Sequence, residues 1–213
     1  MPFDGRVARR TRLAAILLCP PLLAFAYERY CANILWSLAL AYVPLLFGSI
    51  GLIARSVLDA ATERTDLRNE FSAKGALLGS AGSFFVLLVF IPHSVDRTAL
   101  VAIFLASLLF YYAVGKIGCV FLGCCRAAVP WRLPLPTIEA ICSLALSLAA
   151  LATLYEASVP RLFSTAAILG CSLALRLFSR CMRGSSLGSA LKQVDSIALG
   201  ALICGTAAIA VLR

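Results

Sequence analysis

The sequence is short of charge and nearly empty of histidine. Only 14% of its 213 residues are Asp, Glu, Lys or Arg, and one is His. A water-soluble domain carries roughly 25% charged residues, so too few are present to cover a soluble surface. The single histidine, His93 in "IPHSVDR", excludes sites built on several imidazoles. At the end of an apolar run it reads as a helix-end interface residue rather than a catalytic base. Internal repeats, low-complexity tracts and polar linkers are also missing, which leaves one helical domain over residues 1–213 and no sizeable soluble part.

What is present is apolar: 62% of residues are hydrophobic and the mean hydropathy is +0.95. Such a chain is expected to be an all-α integral membrane protein. A bilayer core of roughly 30 Å takes about 17–25 apolar residues per helix. About seven runs approach that length between charges: Leu13–Tyr27, Ile34–Ala54, Gly75–Ile91, Ala99–Gly115, Ile138–Tyr155, Leu162–Phe178 and Gln193–Leu212. The first is short and contains Pro20-Pro21, which is expected to kink or shorten it. A cleaved secretory signal is its rival, because Arg6, Arg9, Arg10 and Arg12 precede it. Tyr27-Glu28-Arg29-Tyr30 does not resemble a cleavage site, so an uncleaved first helix is expected. The longest polar connection, Arg55–Lys74, reads as a surface amphipathic helix.

Seven spans sort the cations by side. The N-terminal tail and the connections bearing Arg55, Arg64, Arg68 and Lys74, then Lys116, Arg126 and Arg132, then Arg176, Arg180, Arg183 and Lys192, all fall on one face. The other face holds Arg29, Arg97, Arg161 and Arg213. The positive-inside rule places the richer face in the cytoplasm. The same gathering of cations also makes a site for anionic head groups, phosphate above all, and no nucleic-acid partner is expected.

Charged groups within apolar runs are costly and mark functional candidates. Glu139 stands one turn into the fifth run, either as a functional carboxylate or as half of an ion pair joining two helices. Arg176 near the end of the sixth run binds an anion or snorkels to the interface. Lys74 opens the glycine-rich "SAKGALLGSAG", where small residues allow a helix or a head group to approach closely. Cysteines cluster only in "KIGCVFLGCCRA", as Cys119, Cys124 and Cys125. Lys116 and Arg126 beside them would favour a thiolate, whereas a close-packed turn also selects Gly and Cys. The C-x4-C-C spacing without histidine is a weak zinc signal, and neither a metal nor a cofactor is expected.

In chain order these fragments resemble the prolipoprotein diacylglyceryl transferase superfamily, bacterial membrane enzymes with a seven-helix core. "GLIAR", ending in Arg55, is similar to the family's Gly-Ala-Arg signature. "SAKGALLG" resembles its His-Gly-Gly turn, with Lys74 in the histidine position. "GKIGCVFLGCC" is similar to the central turn Gly-Arg-x-Gly-Asn-Phe-x-Asn-Gly-Glu: Gly115, Gly118, Phe121 and Gly123 match, Lys116 replaces the arginine, and Cys119 and Cys124 replace Asn and Glu. Divergent members carry a Gly-Cys-Cys form of this turn. "PTIEA" resembles the Pro-x-Gln-Leu-Tyr-Glu-Ala motif through Pro136, Glu139 and Ala140. "LALRLFSRCMR" resembles Arg-Phe-x-x-Glu through Arg176, with Arg180 in the acid's place. "KQVDSIAL" is similar to the start of the last helix, through Gln193. The matches cover about Arg55–Leu199.

The resemblance implies a multi-pass protein of the bacterial cytoplasmic (inner) membrane. It would take an anionic glycerophospholipid such as phosphatidylglycerol and pass a lipid-derived group to an acceptor, a protein thiol or a small molecule. Lys116, Arg126, Arg176, Arg55 and Gln193 would bind the substrate; Glu139, Cys124, Cys125 and Lys74 would carry catalysis. The family histidine and the motif acids are replaced here, and Lys for Arg loses a bidentate phosphate fork. The family's active face lies outside the cytoplasm, opposite to the face that charge counting places inside. The alternatives are a catalytically silent protein that binds phospholipid or a partner, and a thiol-redox or metal-handling membrane protein built on Cys119, Cys124 and Cys125.

Overall fold

Long apolar runs in a dry environment must satisfy every backbone N–H and C=O internally, and the α-helix does so within one segment. A computed structural model of the chain describes residues 5–31, 33–61, 68–92, 94–122, 134–155 and 161–182. Among them are six helices and no strand: α1 (Gly5–Cys31), α2 (Ile34–Ala61), α3 (Arg68–Phe90), α4 (Arg97–Leu122), α5 (Leu135–Tyr155) and α6 (Arg161–Met182). The first six apolar runs fall on these helices in order; the seventh, 193–212, lies outside the described residues. Among the described residues, three helices rather than seven hold segments long and apolar enough to cross a membrane, Ile34–Gly51, Arg97–Phe121 and Leu135–Leu154. Shorter apolar stretches, Leu78–Phe90 and Ala167–Ser179, lie on α3 and α6.

Three expectations change. Pro20 and Pro21 lie inside α1 without shortening it, because the helix continues for ten residues beyond them to Cys31. The polar connection 55–74 is not a helix of its own. Instead α2 runs on to Ala61 and α3 begins at Arg68, with residues 62–67 outside the description. "KIGCVFLGCCRA" is not wholly a turn either, since Lys116–Leu122 is the last stretch of α4. That stretch contains no proline, and α4 continues through both Gly115 and Gly118.

The helix ends follow local chemistry. The Asn33 side-chain oxygen accepts from the Leu35 backbone N–H at 2.9 Å, capping α2 as a short polar side chain at this position does. The Pro134 carbonyl accepts the first bond of α5, from the Thr137 N–H at 2.9 Å. Pro136 in that first turn has no N–H to leave unsatisfied.

The chain divides into two compact units. One is Pro20–Arg97; the other comprises Met1–Cys19 and Thr98–Arg213. In the first, α2 and α3 pack closely through small residues. A Cβ on Gly79 would collide with the Phe47 backbone carbonyl, and one on Gly48 would stand 3.1 Å from the Ala76 oxygen. The Arg97 guanidinium, 5% exposed, donates to the Ile91 carbonyl at 3.1 Å, just beyond the end of α3.

In the second unit, α4, α5 and α6 share a small apolar core of Ala106, Ala150 and Ile168, flanked by Leu109 and Leu151. Ser107, Ser143, Ser147 and Ser179 are buried, while Ile141, Leu148 and Phe178 are exposed. Small and hydroxyl-bearing residues inside with large apolar ones outside is the arrangement expected where the surroundings are as apolar as leucine.

Candidate functional site

Charged side chains from α4, α5 and α6 meet in the second unit. Lys116 lies on the last two turns of α4. Tyr112 precedes it by four residues, a spacing that stacks both on one helix face, and the Lys116 ammonium is 5.1 Å from the Tyr112 ring centroid. Arg176 reaches the same ring from α6, its Cζ 5.1 Å from the centroid. Both distances lie within the reach of cation–π attraction, so one tyrosine ring gathers two cations from different helices.

Glu139 supplies the opposite charge from the second turn of α5. Lys116 Nζ is 2.6 Å from its Oε2, and the two side chains are 12% and 1% exposed. The Ser179 hydroxyl, also buried, donates to Oε1. Ser179 follows Arg176 by three residues, so α6 presents both on one face. Each Glu139 oxygen therefore has a partner on a different neighbouring helix. The attraction within such a pair is largely offset by the cost of desolvating it, and its value is to fix positions.

Lys116, Glu139 and Arg176 together carry one formal positive charge. The Lys116 charge is balanced by Glu139; Arg176, half-buried, contacts the Tyr112 ring and has no carboxylate partner among the described residues. The trio can accept one negative charge and offers a planar guanidinium to receive it.

Of the residues singled out in the sequence, the structure brings together Lys116, Glu139 and Arg176. Arg55 lies on α2 and Lys74 on α3, both in the other unit, and their side chains lie outside the description. Cys124, Cys125, Arg126 and Gln193 fall outside the described residues, as does His93. Cys119 is a half-buried thiol on α4.

Tyr112 and Ser179 were not legible as site residues. Tyr112 looks like any interface aromatic in "LLFYYAVGK". Ser179 stands directly before Arg180, the residue in the motif acid's place. The only signals available were spacings, Tyr112-x-x-x-Lys116 and Arg176-x-x-Ser179, which are common by chance. Comparison with protein-family models, curated proteins and solved structures finds no match to this chain.

Proposed function

We propose that this protein is a membrane-embedded transferase that binds an anionic glycerophospholipid such as phosphatidylglycerol and passes a lipid-derived group to an acceptor, in the manner of the prolipoprotein diacylglyceryl transferases its motifs resemble. The observation that carries the reading is the net positive cluster of Lys116, Glu139 and Arg176 among apolar helices. A phosphodiester brings one negative charge, which matches the one left over in the cluster. Arg176 binds the phosphate. Lys116, fixed by Glu139, supplies a second cation beside it and stabilises the phosphate as it leaves. The acceptor is a thiol or a small molecule, and the setting is a bacterial cytoplasmic membrane with further spans completing the bundle.

The test is incubation of the purified protein with labelled phosphatidylglycerol and a search for released glycerophosphate. Release that disappears in Lys116→Ala and Arg176→Ala, with folding retained, supports transfer; no release with any acceptor refutes it.

One observation favours a second reading, a phospholipid-binding protein without turnover. Both Glu139 oxygens are held, one by Lys116 and one by Ser179, so this carboxylate serves as a clamp more readily than as a base. Retained lipid binding without product would decide for it.

A further inference from the structure

The face of α5 that carries Glu139 continues one turn deeper in Ser143 and two turns deeper in Ser147, since residues four apart share a helix face. Their exposures are 1%, 0% and 1% respectively. The face therefore runs as a polar line into the interior.

Other serine hydroxyls in the described helices have a consistent habit. Ser49, Ser80 and Ser83 donate to the carbonyls of Leu45, Ala76 and Gly79, one turn back. Ser107 and Ser172 donate three residues back, to Phe104 and Leu169. Ser147 crosses to α4 and donates to the Ala106 carbonyl at 2.8 Å. Ser143 breaks the pattern: its Oγ is buried and has no hydrogen-bond partner among the described residues. A buried hydroxyl with its bond unmade is costly, and in native interiors such groups are paired with protein or with water.

Its position says what could pair with it. Lys116 of α4 meets Glu139 of α5, and Ala106 meets Ser147, so the two helices run antiparallel here. Ser143 lies midway between those two contacts, level with Tyr111 and about one and a half turns along α4 from Lys116. Lys116 stands at the upper end with capacity to spare: an ammonium has three N–H donors, and one is directed at Glu139.

We infer that Ser143 and Lys116 frame an internal subsite for a small oxygen acceptor beneath the ion pair. The oxygen accepts from the Lys116 ammonium and from the Ser143 hydroxyl. It comes from a buried water or from the head group of a bound lipid. The water form is independent of the transferase reading, and the lipid form rests on it. Either way, the Ser143 hydroxyl gains its hydrogen bond inside the bundle rather than from solvent.

Thermal melts of the full chain test this, in delipidated detergent and again with phosphatidylglycerol added to the micelles. Ser147→Ala, which loses an observed interhelical bond, calibrates the scale. Ser143→Ala is expected to lower Tm by about 2–4 °C, the shift for one buried hydrogen bond in a chain of this size. An equal loss in both conditions identifies water; a loss only with phosphatidylglycerol present identifies a head-group oxygen. An unchanged or higher Tm in both conditions shows a dry hydroxyl whose removal is harmless, and overturns the subsite. None of these readouts depends on glycerophosphate release, so the subsite and the transferase reading fail separately.

Discussion

The Lys116 ammonium lies 2.6 Å from the Glu139 carboxylate, and solvent reaches only 12% of the first side chain and 1% of the second. Two groups that are costly to bury are thus placed where each offsets the other's penalty. The Ser179 hydroxyl completes the arrangement from a third helix.

Breaking this pair is expected to cost more than removing it. Lys116→Met or Glu139→Leu alone leaves an uncompensated buried charge and should destabilise by about 3–5 kcal/mol. The double variant, with two apolar side chains of similar volume, should recover most of the loss. Denaturation of the three variants in one detergent checks this, and a double variant no better than the worse single would contradict it.

Arg176 is expected to govern anion binding without governing stability. Arg176→Ala leaves the cluster formally neutral, because Lys116 and Glu139 cancel. Retention of phosphatidylglycerol, measured by native mass spectrometry, should fall about 10–100-fold, the loss expected for one charge-assisted contact. Arg176→Lys should retain part of the binding, since it keeps the charge and loses only the fork. Undiminished lipid in Arg176→Ala would remove Arg176 from the site.

Gly79 and Gly82, one turn apart on α3, should respond in opposite ways to the same methyl group. At Gly79 a Cβ meets the Phe47 backbone of α2, whereas at Gly82 it meets nothing within 4 Å. Gly79→Ala should destabilise by about 1–3 kcal/mol through overpacking. Gly82→Ala should be neutral or mildly stabilising, because alanine is the better helix former. Melting temperatures of the two proteins read the difference directly.

Arg97 is expected to be a structural cation. Its guanidinium is buried and donates to the Ile91 carbonyl beyond the end of α3. Arg97→Met should cost about 1.5–3 kcal/mol, as for a hydrogen bond with a charged partner, and leave lipid retention intact. A variant that folds normally and loses lipid would reverse that assignment.

Helicity was legible in the sequence because it is a property of segments. Runs such as Ala99–Gly115 and Ile138–Tyr155 have the length and the apolarity that oblige the backbone to satisfy itself, and α4 and α5 contain them. Boundaries were less legible. Polar residues such as Asp59 and Arg68 look like the end of a span, yet a helix need not stop where its apolar stretch does. Thus α2 and α3 continue past their apolar runs, and α4 continues through a glycine-rich stretch that resembles a turn motif.

The sequence by itself determined that the chain is helical and apolar enough for a membrane, where it led to an expectation of about seven spans; three of the described helices prove long and apolar enough to cross. It also marked Lys116, Glu139 and Arg176 as charges costly enough to be functional candidates. Burying a charge in apolar surroundings is expensive wherever it occurs, so the suspicion needs no coordinates. Only the tertiary structure decided their pairing. The partners of Glu139 lie 23 residues back at Lys116 and 40 residues on at Ser179, separations at which spacing along one helix carries no information. The packing of α4, α5 and α6 brings them within bonding distance. The same packing buries Ser143 beneath the pair, which no pattern in a serine-rich apolar helix could foretell.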